Sequence, residues 1–133
     1  MDVGELIQET LDAALGGLGI RTYEGRRQDG AENEEEFVVY TMTGDSVEAS
    51  ADGETIARTA TAAVRYYLTE SAAFDYPGRR KRRSRLRLIG SALYAAGFDF
   101  PEGWVDVQDD ATVGFDCWAG VFEFARVVDE AAG

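Results

Sequence analysis

Apolar side chains recur at helical spacing from the first residues of the chain. Val3, Leu6, Ile7, Leu11, Ala14, Leu15 and Leu18 form a stripe that predicts an amphipathic helix. Asp2 stands at the capping position with Glu5 three residues on, and Gly16-Gly17 is expected to stop the helix. Ile20 to Glu24 reads as a short extended piece. Phe37 to Thr43 is a run of β-branched and aromatic residues between a charged stretch and Gly44-Asp45, which predicts a strand. The segment ETIARTATAAVRYYLTES fits two periods. Ile56, Ala60, Ala63, Val64 and Tyr67 make a helical stripe, whereas Ala60, Ala62, Val64, Tyr66 and Leu68 alternate with their neighbours. The threonines favour a pleated surface, so a long strand over Thr59 to Thr69 is the preferred reading. If Ala60 to Leu68 faces the core, Arg65 and Tyr67 project together from the opposite face.

Pro77-Gly78 punctuates the chain, and a second helix is predicted over Arg79 to Ala96, burying Leu86, Ile89, Leu93 and Ala96 and ending at Gly97. Trp104 to Gln108 reads as a short strand. Asp116 to Val128 alternates so that Trp118, Phe122, Phe124 and Val128 share a face. These elements predict an α+β fold: a mainly antiparallel four- or five-stranded sheet with two principal helices packed on one face. Residues 1–133 are expected to form one domain, with 26–36 an acidic flexible loop and 129–133 a frayed tail.

Composition narrows the classes further. The sequence contains no apolar run long enough to span a bilayer, and MDVGELIQET opens with acids where a secretory signal carries bases, so a soluble, unexported chain is expected. The lone Cys117 has no disulfide partner within the chain and is expected to be a small buried hydrophobe. With no histidine, the usual partners for zinc and for an activated nucleophile are missing.

Charge changes the picture most. The formal net charge is −12, yet Arg79, Arg80, Lys81, Arg82, Arg83, Arg85 and Arg87 crowd into PGRRKRRSRLRL. Basic side chains at a helix amino terminus oppose the macrodipole, so helix stability does not explain them. The remaining six basic residues stand against 25 acids, a field that repels a phosphate backbone at long range. An acidic protein surface is therefore the expected partner of the basic turn. A contact with DNA made by that turn alone, and a solvated helix start that only offsets excess acid, are the other readings.

Tests for chemistry fail. DSVEASADGETI has Val47 and Ala49 where a calcium loop needs oxygen ligands, so it is expected to be a surface turn. Asp109 and Asp110 are adjacent, which on an extended chain sends their carboxylates to opposite sides. Gly16, Gly17 and Gly19 follow a helix instead of opening one, the wrong context for a phosphate loop. Tyr66, Tyr67, Trp104 and Trp118 are expected mainly as packing residues. No enzyme activity, catalytic residue, cofactor or metal is assigned.

In order and pattern, EFVVYTMT, an acid-and-glycine turn, TIARTATAAVRYYLT, LRLIGSALYAAGFDF and WVDVQDDATVGFDCWAGVFEFARV resemble the tail terminator (tail completion) proteins of long-tailed bacteriophages. The likeness runs from about Leu6 to Val128. The basic run and the acidic loop depart from the family's pattern. The resemblance implies a virion subunit, in a six-membered ring, that caps the tail tube and meets the head neck. Its implied partners are copies of itself, the tail tube protein and the neck connector protein; transient DNA contact belongs to the separate reading of the basic turn, and no membrane partner is expected. A neck connector of the same virion is the alternative. The expected interface residues are Arg79, Arg80, Lys81, Arg82 and Arg83, with Arg65 and Tyr67. Their counterparts would be acids at Asn33 to Glu36 or Asp106 to Asp110 of a neighbouring subunit, or acids of the tube or neck protein.

Overall fold

A computed structural model describes residues 2–27, 34–49, 55–108 and 112–129. Its elements are, in chain order, helix α1 (Val3–Leu15), a 3-10 turn (Gly16–Leu18), strands β1 (Arg21–Glu24), β2 (Glu36–Ala49) and β3 (Thr55–Thr69), helices α2 (Glu70–Ala73) and α3 (Tyr76–Ala95), and strands β4 (Phe98–Asp99), β5 (Val105–Val107) and β6 (Phe115–Asp129). The fold is α+β, as expected. The sheet has six strands in the order β1-β2-β3-β6-β4, with β5 also paired to β6. It is mixed, because β1 runs parallel to β2 while every other pairing is antiparallel.

Alternation sorts the sheet into two faces. Val38 and Tyr40 of β2, Ala60, Ala62, Val64, Tyr66 and Leu68 of β3, and Phe122 and Phe124 of β6 point to the side that carries the helices. Val3, Ile7, Leu11 and Leu15 of α1, and Leu86, Ile89 and Leu93 of α3, close on them in one cluster. Small alanines along β3 leave room for the helices to approach, and burying each large aliphatic side chain contributes about 1.5 to 3 kcal/mol. Within this layer α1 packs against β1, whereas α3 packs against β4 at the other end of the strand order.

Helix ends follow side-chain chemistry. The Asp2 carboxylate caps α1 by accepting from the Glu5 backbone N–H at 2.7 Å, and the 3-10 turn ends at Gly19 with φ of 77°. Leu18, expected in the apolar stripe, is 48% exposed because the helix stops three residues earlier. The second long helix begins at Tyr76, not Arg79. Asp75 caps it by accepting from the Gly78 N–H at 2.8 Å, and Pro77 sits in the first turn, where its missing N–H costs nothing. Gly97, with φ of 105°, follows its last turn as expected.

Three features of the structure differ from the pattern reading. Gly44 does not end β2. It marks a register shift after Met42, and pairing continues to Ala49 opposite Ile56, so Asp45 to Ala49 is strand instead of surface turn. Helix α2 is a single turn and β4 only two residues, both too short to carry a period. The third difference concerns Tyr67, expected among the packing residues and also, by alternation, outward beside Arg65 at an interface. It does project from the face away from the helices, but it is 3% exposed, because Tyr23, Phe37, Val39 and Cys117 form a second cluster there. Its ring stacks on Phe37 at 4.6 Å, and Phe115 meets both edge-on. Cys117 is buried in this cluster. The expectations for a flexible 26–36 loop, a frayed tail, and Asp109-Asp110 fall wholly or largely on 28–33, 130–133 and 109–111, outside the described residues. The Val128 side chain is likewise outside what is described.

Candidate protein interface on α3

The basic run divides by helical angle. Residues 82, 86, 89 and 93 face the sheet, which leaves 81 and 85 on one flank and 79, 83 and 87 on the other. On the β2 flank, Arg85 Nε donates to Glu36 Oε2 at 3.0 Å and Lys81 Nζ stands 3.7 Å from Glu36 Oε1. The Tyr66 hydroxyl, from a fully buried side chain, donates to the same Glu36 oxygen as Arg85. Burial, and then the carboxylate beside it, raise the Tyr66 pKa far above the ordinary phenol value. Glu36 thus gathers a phenol from the core and two cations from α3.

On the sheet-facing side, toward β6, Arg82 Nη1 donates to Asp116 Oδ2 at 2.8 Å and lies over the Trp118 ring at 4.9 Å. Trp118 Nε1 donates to that same Asp116 oxygen at 3.2 Å, which fixes the indole plane. Arg82 and Arg85 keep only about a fifth of their side-chain surface. Arg79, Arg82, Arg83, Leu86, Arg87, Trp104 and Trp118 line a groove of about 390 Å³ between α3 and the strands. Trp104 reaches it because Gly120 of β6 has no side chain: a Cβ there would stand 2.6 Å from the Phe100 ring and 3.1 Å from Trp104. Phe100 stacks on Phe122 at 4.2 Å in the space left open and meets Trp104 edge-on.

The outward residues carry no such ties to other elements. Arg80, Arg83 and Arg87 are exposed, and among the described residues none of them forms an ion pair. Arg79 donates to the Phe74 carbonyl at 3.0 Å, and Arg80 lies 5.8 Å over the Tyr76 ring. Phe74 and Tyr76, next to this turn, are 84% and 64% exposed.

Of the expected interface residues, the structure brings Arg79, Arg82 and Arg83 to one groove, turns Lys81 and Arg82 toward carboxylates of their own chain, and leaves Arg80 outward. Arg65 and Tyr67 are on the far side of the sheet. They line a separate hollow of about 380 Å³ with Arg26, Arg27, Phe37 and Val39, where the Arg27 guanidinium lies 4.8 Å over Phe37. Glu36, expected to serve a neighbouring subunit, is engaged within its own chain. Sequence reasoning missed Phe74, Tyr76 and Tyr94 as exposed aromatics; the last is 72% exposed. Their signal was present in the helical wheel, since Tyr76 and Tyr94 fall on the stripe of Arg80, Arg83 and Arg87.

Among the described residues no cluster of three or more acidic or cysteine side chains is placed to hold a metal ion, and no helix is long and apolar enough to cross a membrane. No protein-family model and no curated protein sequence matches the chain.

Proposed function

We propose that this chain is a structural virion subunit of the tail terminator type, which assembles with copies of itself into a ring of six that caps a finished tail tube and meets the head neck. The observation that carries this reading is an outward run of arginines framed by exposed aromatics on an otherwise acidic protein: Arg80, Arg83 and Arg87 between Tyr76 and Tyr94, with Phe74 beside them. Arginine with aromatic side chains is the composition that marks interface centres, and head-to-tail contacts close into rings when the rotation permits. A contact with DNA is less favoured, because Lys81, Arg82 and Arg85 are already neutralised by Glu36 and Asp116, leaving fewer cations for phosphates.

Electron microscopy of purified tail tubes mixed with the chain tests the reading. Caps at one end of each tube, lost on Phe74→Ser, are expected. Bare tube ends at saturating protein would overturn it. Co-purification with a neck connector in place of the tube would favour the neck position.

A further inference from the structure

Helix α1 carries a second charged stripe, opposite in sign to that of α3. Val3, Ile7, Leu11 and Leu15 are buried, which turns Asp2, Glu5, Glu9 and Asp12 away from the sheet, and all four are exposed. Asp2 caps its own helix and Asp12 accepts from Gln8, but among the described residues Glu5, Glu9 and Asp12 form no ion pair. The three acids are spaced four and three residues apart. Arg80, Arg83 and Arg87 are spaced three and four. Read in opposite chain directions the two spacings coincide, and each stripe spans about 10 Å at 1.5 Å per residue.

Deepening the proposed function, on whose ring it rests, we propose that α3 of one copy packs antiparallel on α1 of the next, with Arg80 facing Asp12, Arg83 facing Glu9 and Arg87 facing Glu5. In this register Tyr76 comes level with the end of the partner's α1, where Leu18 is also exposed, so an apolar contact closes the seam. The two helices lie side by side on one face of the sheet and pack on each other, α1 toward β1 and α3 toward β4, so both stripes face away from that sheet. The stripes are two different patches, so the proposed α3-to-α1 contact is heterologous when it propagates round the ring. A copy of this chain is favoured over other acidic occupants because both the spacing and the exposed apolar residue at the seam's end are matched.

Sedimentation of three variants tests this. Arg80→Glu/Arg83→Glu/Arg87→Glu and Glu5→Lys/Glu9→Lys/Asp12→Lys are each expected to weaken self-association on the order of 100-fold, since they replace attraction with like-charge contact. The chain carrying both sets of changes is expected to associate again. All positions are exposed, and circular dichroism checks that each variant folds. Association untouched by the α1 changes would overturn the inference while leaving tube capping intact. So would a wild-type chain that stays monomeric, or an α3 stripe that retains duplex DNA without self-association. Rings that obey the charge exchange yet ignore tube ends would support the seam and overturn the tail reading instead.

Discussion

The same nine-residue basic run does two different jobs on the two sides of α3. Lys81, Arg82 and Arg85 turn toward the sheet and meet Glu36 and Asp116, with Tyr66 and Trp118 sharing those carboxylates. Arg80, Arg83 and Arg87 turn to solvent and meet no acid of their own chain among the described residues. The inward set is fold: it docks α3 on β2 and β6, where partial desolvation makes each pair harder to lose. The outward set contributes little to the isolated chain, because a fully solvated charge gains almost nothing without a partner. A charge cluster is therefore not one feature. Helical angle decides which of its members are structural and which are available.

The comparison can be broken first by moving both sets together. Gly78 sits where a Cβ would lie 1.7 Å from the Ala72 carbonyl oxygen, a backbone atom that cannot swing away. Gly78→Ala is expected to displace the first turn of α3 and cost about 3 kcal/mol in a denaturant titration. Glu36→Ala should come next, at about 2 to 3 kcal/mol, since it strands a buried phenol and a half-buried guanidinium; the figure is discounted for the exposed Lys81. Arg82→Ala removes one charge-assisted bond and the cover over Trp118, and about 1 to 2 kcal/mol is expected, with a change in tryptophan fluorescence. Arg83→Ser with Arg87→Ser should change the stability of the monomer by less than about 0.5 kcal/mol. An equal loss from the inward and outward substitutions would erase the distinction.

Alkali offers a further check on the helix-covered face of the sheet. Burial, and then nearby carboxylates, push the Tyr40 pKa up to about 12, and Tyr66 is raised further. Below pH 10 the phenols are protonated in both folded and unfolded chains, so their contribution is fully present. As pH rises from 10 toward 12 only the unfolded chain ionises at Tyr40, and stability is expected to fall across that window. Tyr40→Phe should make the fall shallower, as read by denaturant midpoints at each pH. A slope unchanged by that substitution would remove Tyr40 from the account.

Much of this architecture was legible from period alone. The α1 stripe, the alternation of β3 and β6, and the stop at Gly97 each repeat a single signal over several turns or pleats. What escaped were elements whose limits are set by pairing. β2 runs past Gly44 because β3 continues opposite it, and β4 exists only because β6 offers an edge. The site was half legible. The basic run was plain, but its division depends on where Glu36 and Asp116 stand in space, and no sequence distance reports that. Tyr67 is the opposite case: alternation gave its side of the sheet correctly, and a second aromatic cluster on that side buries it, which fits its reading as a packing residue.

The measurement that bears most directly on the outward arginines is native mass spectrometry of the two charge-reversed chains, alone and mixed. Each variant alone keeps two surfaces of like sign and should run as a monomer. Mixed in equal amounts, the acidic α3 of one meets the basic α1 of the other, and assemblies containing the two in equal numbers should appear. A mixture that stays monomeric, or either variant alone assembling like the wild type, would contradict the account.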